Sequence, residues 1–206
     1  MADGGTGARR DYTALQRHVA YFDGDDDGLV GWRETYRGIR ALGAGVGWSA
    51  SLAAIIVLAL GKLTGGGWTT VRVANIHRGK HPSDTGVFDA AGELILPRFQ
   101  ALFASVAQSS AADRISFAEF RAFMKLGPQS ALGSFFSWAE AKLFFCVAAD
   151  CTKRQGAGDV PAIRERTLLR FYRGELVPRI ARLRKLRAER AARRGDAGRD
   201  RSQSKN

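Results

Sequence analysis

Asp23-Gly-Asp-Asp-Asp-Gly-Leu-Val-Gly-Trp-Arg-Glu34 is the stretch that decides how the rest of this chain reads. These twelve residues match the pattern D-x-[DN]-x-[DN]-G-x5-E at every defined position. Calcium takes about six to eight hard oxygen ligands, and the loop offers them in order. Asp23, Asp25 and Asp27 supply carboxylates at positions 1, 3 and 5. Gly28 permits the sharp turn at position 6, and Leu29 offers its backbone carbonyl at position 7. Gly31, at position 9, has no side-chain oxygen and leaves that ligand to water. Glu34 closes the site with a bidentate carboxylate at position 12. A solvated acidic turn would require neither the glycine nor the terminal glutamate. The loop therefore reads as a competent EF-hand with Ca²⁺ as its ion.

The flanks agree. In residues 12–22, Ala14, Leu15, His18, Val19 and Phe22 follow helical spacing and form one apolar face. Residues 32–42 read as the exiting helix, with Tyr36 and Ile39 facing inward. Residues 108–119 resemble a worn second hand, with Ile115 at position 8 and Glu119 at position 12. Gln108, Ser110 and Ala112 stand at its positions 1, 3 and 5, and they carry too little charge for tight Ca²⁺ binding. EF-hands pair, so this segment is expected to be the structural partner of the 23–34 loop. Residues 150–165 read as a third degenerate hand, with Val160 in the central apolar position. The fold expected is mainly α: one competent EF-hand paired with a degenerate one, an apolar membrane-associated helical segment, and a helical C-terminal half.

The chain has 206 residues and a net charge of +12, with an apolar content ordinary for a folded protein. Cys146 and Cys151 have no CxxC spacing and form no disulfide framework, which fits a reducing compartment. No signal peptide is visible, and residues 1–11 read as a disordered arm. From 179 to 206 there are eleven Lys or Arg against three Asp or Glu. Residues 179–194 can continue as a basic helix, and 195–206 read as a disordered end. A solvated tail explains this run, and so does attraction to anionic lipid. Nucleic acid is not expected as a partner, because aromatics are not interleaved with the cations.

Between Arg40 and Lys62 lie 21 residues without a charge. About 20 apolar residues suffice to span a bilayer. A buried helix of a soluble core is the alternative. The membrane-associated reading is preferred, since no polar face is available to meet water. Along the chain the expected organisation is therefore 1–11 arm, 12–42 EF-hand, 43–62 apolar lipid-associated segment, 63–97 histidine-containing loop region, 98–185 helical region with degenerate hands, and 186–206 basic tail.

Only three histidines occur, His18, His77 and His81. His18 alone would read as a core histidine of the entering helix. His77 and His81, four apart, would share one face of a helical turn. With Asp84 they would make only a poor zinc site, since their spacing matches no closed zinc pattern.

His18-Val-Ala-Tyr-Phe-Asp23, running into the loop, and Trp32-Arg-Glu-Thr-Tyr-Arg-Gly-Ile-Arg-Ala-Leu-Gly43 after it resemble the caleosin family. So does Asn75-Ile-His77-Arg-Gly-Lys-His81-Pro-Ser-Asp-Thr-Gly-Val-Phe-Asp89. The likeness covers roughly residues 15–180. It implies a calcium-binding protein of lipid droplets and the endoplasmic reticulum membrane, on the cytosolic face. It also implies a haem-dependent peroxygenase, moving oxygen from fatty-acid hydroperoxides to unsaturated fatty acids. The family's haem-associated histidines fall by motif on His18 and His77, with His81 as a further candidate for the b-type haem. One histidine is expected to be proximal and the other distal or displaceable. A homo-oligomer is compatible with the sequence.

The chain departs from the family in one place: residues 43–61 contain no proline, whereas the family's hydrophobic segment carries a proline-rich knot. If His18 and His77 serve one haem, the ends of the apolar segment must lie on one side of a membrane, and the segment cannot cross once. Two other functions fit the loop. A non-catalytic calcium-binding coat protein of droplets would lack a Soret band. A soluble calcium sensor would not associate with lipid.

Overall fold

The computed structural model describes residues 11–79, 86–107, 113–124, 142, 145, 148 and 162–203. The mainly α expectation holds. The first hand is α1 (Ala14–Ala20), the loop, β1 (Leu29–Gly31) and α2 (Trp32–Ala41). Thr13 starts α1 with a capping box: its hydroxyl accepts the Gln16 N–H at 3.3 Å, and the Gln16 side chain accepts the Thr13 N–H at 2.9 Å. Next come α3 (Val46–Thr64), β2 (Thr70–Arg72) and a 3-10 helix, Val73–Gly79. The C-terminal half contains α4 (Leu96–Val106), β3 (Arg114–Ser116), α5 (Phe117–Met124), β4 (Ala162–Arg164), α6 (Glu165–Tyr172) and α7 (Leu176–Gln203).

The strand pairing corrects the sequence reading. β1 pairs antiparallel with β2, placing Val30 opposite Val71, and β3 pairs with β4, placing Ile115 opposite Ile163. The partner of the calcium hand is thus the α3–β2–3-10 unit and not the 108–119 segment. That segment pairs instead with the 162–164 strand. The central apolar residue of the latter is Ile163; Val160, expected there, lies outside the described residues. Gln108, Ser110 and Ala112 lie outside them as well.

If Val71 takes position 8, as Val30 does, the second unit begins its loop at Thr64 and ends it at Asn75. Hydrogen bonds close that loop. Asn75 Nδ2 donates to the Thr64 carbonyl at 2.9 Å, closing the loop from last position to first. The Thr64 hydroxyl accepts the Arg72 N–H at 3.1 Å and donates to the Leu60 carbonyl at 2.8 Å. Residues 64–75 contain no carboxylate, so this second loop is closed by amide, hydroxyl and backbone groups. The worn hand that ends at Glu119 keeps one device of the first. Ser116 N–H donates to Glu119 Oε2 at 2.7 Å, as Gly31 N–H donates to Glu34 Oε2 at 2.9 Å.

Helix α3 is one unbroken helix of 19 residues, about 28 Å long, and no hairpin. Ser49, Leu52, Ala53, Val57, Gly61 and Thr64 form its buried side against α2, β2 and the 3-10 helix. Val46, Trp48, Leu58 and Leu63 are exposed. The helix is therefore long and apolar enough to cross a membrane, yet one side of it belongs to the protein core. Standing alone across a bilayer would strip β2 from β1. Gly65, in the left-handed region at φ 78°, stops it, donating to the Gly61 and Lys62 carbonyls.

Gly61 marks the tightest point of this packing. A Cβ there would lie 2.6 Å from the Gly67 carbonyl oxygen and 2.8 Å from that of Thr70. Both are backbone atoms, which cannot swing aside. Gly61→Val should lower stability by roughly 1–3 kcal/mol, the range for overpacked sites. A thermal melt followed by circular dichroism should show the loss, and an unchanged melting temperature would contradict this closure.

The larger core lies in the C-terminal half. Phe99, Phe103, Phe120, Phe123 and Tyr172 pack around the paired Ile115 and Ile163. Residues 63–97 hold β2, the 3-10 helix and a Phe88–Leu94 bridge. Helix α7 continues to Gln203, through most of the end expected to be disordered.

Candidate functional site: a calcium loop between two histidine-bearing elements

The loop folds as an ion cage requires. One carboxylate oxygen from each of Asp23, Asp25 and Asp27 lies within 4.8 Å of the others. Asp23 is 3% exposed, while Asp25 and Asp27 face solvent. Asp26 and Gly28 adopt left-handed backbone, φ 62° and 79°, which turns the chain around the centre. Aspartate tolerates this conformation better than most residues, and glycine adopts it freely. Asp23 Oδ2 accepts the Gly28 N–H at 3.0 Å, and Glu34 Oε1 accepts the Gly24 N–H at 2.9 Å. Glu34 thereby reaches back across the loop from α2 to its first turn. Leu29 follows Gly28 into β1, as its ligand position requires.

Burial raises the Asp23 carboxyl above its ordinary range. The Gly28 hydrogen bond opposes the rise, and the charges of Asp26, Asp27 and Glu34 add to it. A hard divalent cation would offset that repulsion and favour the ionised carboxylate. The donor set is all oxygen and strongly anionic, so it fits Ca²⁺.

His18 sits on α1, five residues before Asp23. Its ring packs edge-on against Phe171 of α6, with centroids 4.7 Å apart. Gly174, at φ 74°, brings the backbone after α6 so close that a Cβ there would lie 2.6 Å from the His18 amide nitrogen. Arg17 Nε donates to the Arg173 carbonyl at 3.3 Å, tying α1 to the same turn. At the other end of α1, Glu93 Oε2 accepts the Ala14 N–H at 3.3 Å, and the Gly92 carbonyl accepts the Leu15 N–H at 3.1 Å.

Burial pushes the His18 imidazole down to about 4, opposed by its hydrogen bond to the Phe171 backbone. It is neutral in the folded chain near pH 7. A depressed histidine contributes stability that is present above its unfolded value, 6.5, and lost as pH falls toward about 4. The contribution is at most about 3 kcal/mol, discounted because the residue as a whole is only half-buried. A melt of the metal-free chain from about pH 7 to pH 4 should therefore fall further than that of His18→Gln. Equal falls would contradict the assignment.

His77 lies on the 3-10 helix, half-buried, one residue beyond Ile76. Val73, Ile76 and Gly79 form the buried stripe of that helix, so His77 belongs to a different face. The 3-10 helix packs against α1, and Gln16 Nε2 donates to the Ala74 carbonyl at 3.2 Å. The Gly28 carbonyl accepts the Val73 N–H at 3.0 Å. The calcium loop is thus joined on one side to the helix of His18 and on the other to the helix of His77. His81 and Asp84 lie outside the described residues. The sequence reading missed Thr64, Asn75 and Phe171. Only the spacing from Val71 could have pointed to the first two, and nothing local pointed to Phe171.

A family model for caleosin-related proteins matches residues 10–168. The chain belongs to the caleosin family. This caleosin is 34% identical over 143 residues to "Probable peroxygenase 4" of Arabidopsis thaliana, covering 66% of this chain and 73% of that one. It is 31% identical over 147 residues to "Peroxygenase" of Lilium longiflorum, covering 67% and 60%. No solved structure matches significantly.

Proposed function

We propose that this caleosin is a calcium-dependent haem peroxygenase. It transfers oxygen from fatty-acid hydroperoxides to unsaturated fatty acids at a lipid-droplet or endoplasmic reticulum surface, facing the cytosol. The peroxygenase names of its relatives support the activity. The observation that carries the residue assignment is His18 itself. It is a neutral imidazole, hydrogen-bonded to the Phe171 backbone, on a helix packed against the one bearing His77. An imidazole that gives one N–H to a carbonyl has its tautomer and orientation fixed, and it offers the other nitrogen as a ligand. His18 and His77 would hold a b-type haem. Haem bound in this way supplies an iron at which a hydroperoxide O–O bond is broken.

The chain's own residues supply the rest. Phe171 and the close approach of Gly174 hold the His18 ring and backbone in place. His77, outside the buried stripe of its helix, takes a proton from the hydroperoxide and returns it to the alcohol product. Calcium fixes the spacing of the two histidine-bearing elements. The exposed side of α3, with Trp48, Leu58 and Leu63, meets the lipid that carries the substrate.

Incubation with a fatty-acid hydroperoxide and an unsaturated acceptor tests this directly. The expected products are the hydroxy acid and an epoxide of the acceptor, in equal amounts, with the epoxide oxygen drawn from the hydroperoxide. Hydroperoxide that survives, or decays without oxygen reaching the acceptor, would sink the assignment.

A further inference from the structure

Helix α7 carries a charge that neither the calcium loop nor the histidines use. It begins in the core, where Leu176, Val177 and Ile180 are buried. It then leaves the core. Between 182 and 194, every side chain except Arg184 is exposed. From 179 to 194 the sequence has eight Arg or Lys and one Glu. At about 1.5 Å per residue, the part beyond 181 extends about 33 Å. Cations so dense on a solvent-exposed rod repel one another and favour an anionic partner. The helix lies beyond residues 10–168, which carry the family likeness.

The neighbourhood of its root says what kind of partner fits. The Arg184 guanidinium lies over Gly43, in the turn between α2 and α3, where a Cβ would collide with it. The cationic helix therefore leaves the body beside the start of α3, where Val46 and Trp48 are exposed at 61% and 40%. The outward side of α3 continues through Leu58 and Leu63, and α7 itself exposes Leu183 and Leu186. Trp32 and Trp68 are exposed as well. Indoles and leucines beside cations suit the boundary between headgroups and acyl chains. A nucleic acid would gain nothing from the leucines, and residues 179–203 contain no aromatic to stack on its bases.

We propose that the cations of α7 bind anionic phospholipid headgroups while the outward side of α3 rests in the adjacent acyl region. The two together form one docking surface, selective for anionic lipid. This rests on the lipid-facing reading of α3. Each cation near an anionic surface strengthens binding by about fivefold.

The test uses the full chain and vesicles of phosphatidylcholine, alone or mixed with phosphatidylserine. Wild type should bind the mixed vesicles at least about 100-fold more tightly at low salt, a preference that fades as salt rises. The full-length variant R187Q/R190Q/R193Q/R194Q should lose that preference and keep its binding to phosphatidylcholine. L58S/L63S should lose the phosphatidylcholine binding. Equal affinity of wild type for both vesicles, or a preference unchanged in the arginine variant, overturns the proposal. So does displacement from mixed vesicles by a DNA duplex at matched ionic strength, which would assign α7 to nucleic acid. Undiminished phosphatidylcholine binding by L58S/L63S overturns the lipid-facing reading of α3 instead, and leaves the anionic preference of α7 as a separate readout.

Discussion

Glu34→Gln should lower the Ca²⁺ affinity of this caleosin by about 100-fold or more, the span that ligand charge and site rigidity open between tight and loose EF-hands. Three consequences of one side chain combine. The site loses a full negative charge from an all-oxygen donor set. The bidentate grip expected of a glutamate at position 12 would become a single neutral oxygen. The carboxylate that accepts N–H bonds from both Gly24 and Gly31 is also replaced, so the loop loses a tie between its first turn and α2. Calorimetry should find one Ca²⁺ per wild-type chain. The α3–β2–3-10 unit cannot take a second ion, because the Thr64 carbonyl already receives Asn75 Nδ2 and no carboxylate lies between residues 64 and 75. Two ions per wild-type chain, or an undiminished affinity in the variant, would contradict this account of the hand pair.

His18→Ala should cost about 1,000-fold or more in oxygen transfer, within and beyond the range seen for single acid–base groups, because a ligand is lost as well. It should leave Ca²⁺ stoichiometry unchanged, since the Asp23, Asp25 and Asp27 cluster does not include it. The alanine also vacates the contact with Phe171, so a second variant separates chemistry from folding. His18→Gln keeps an N–H that can reach the Phe171 carbonyl and roughly fills the site. A folded, calcium-binding His18→Gln without activity supports the ligand role. A His18→Gln that retains full oxygen transfer removes it.

How legible all this was in the sequence depended on where the physics was local. The calcium loop could be read residue by residue because its ligands come from one stretch and each position has a distinct chemical task. Helices flanking it followed from apolar spacing. The hand pairing could not be read in the same way. The second loop has no carboxylates to mark it, and Gly65-Gly66-Gly67 looks like a flexible joint. Its identity rests on Val71 opposite Val30 and on hydrogen bonds between Thr64 and Asn75, which are facts of register. The same blindness affected α3. Its sequence is apolar all round, so no periodicity revealed that Leu52, Ala53 and Val57 face α2 and β2 while Leu58 and Leu63 face outward. The likeness to caleosins singled out His18 and His77, but Phe171, which holds the first of them, lies more than 150 residues away in the chain.

If one calcium loop holds the two histidine-bearing elements in place for haem, removing calcium should disturb the haem. The most direct measurement is the absorption spectrum of the purified, haem-supplied protein, recorded with Ca²⁺ and again with a chelator. The calcium form should show a Soret band that shifts or weakens on chelation and returns when Ca²⁺ is restored. A protein that takes up no haem, or whose Soret band is identical with and without calcium, would contradict it.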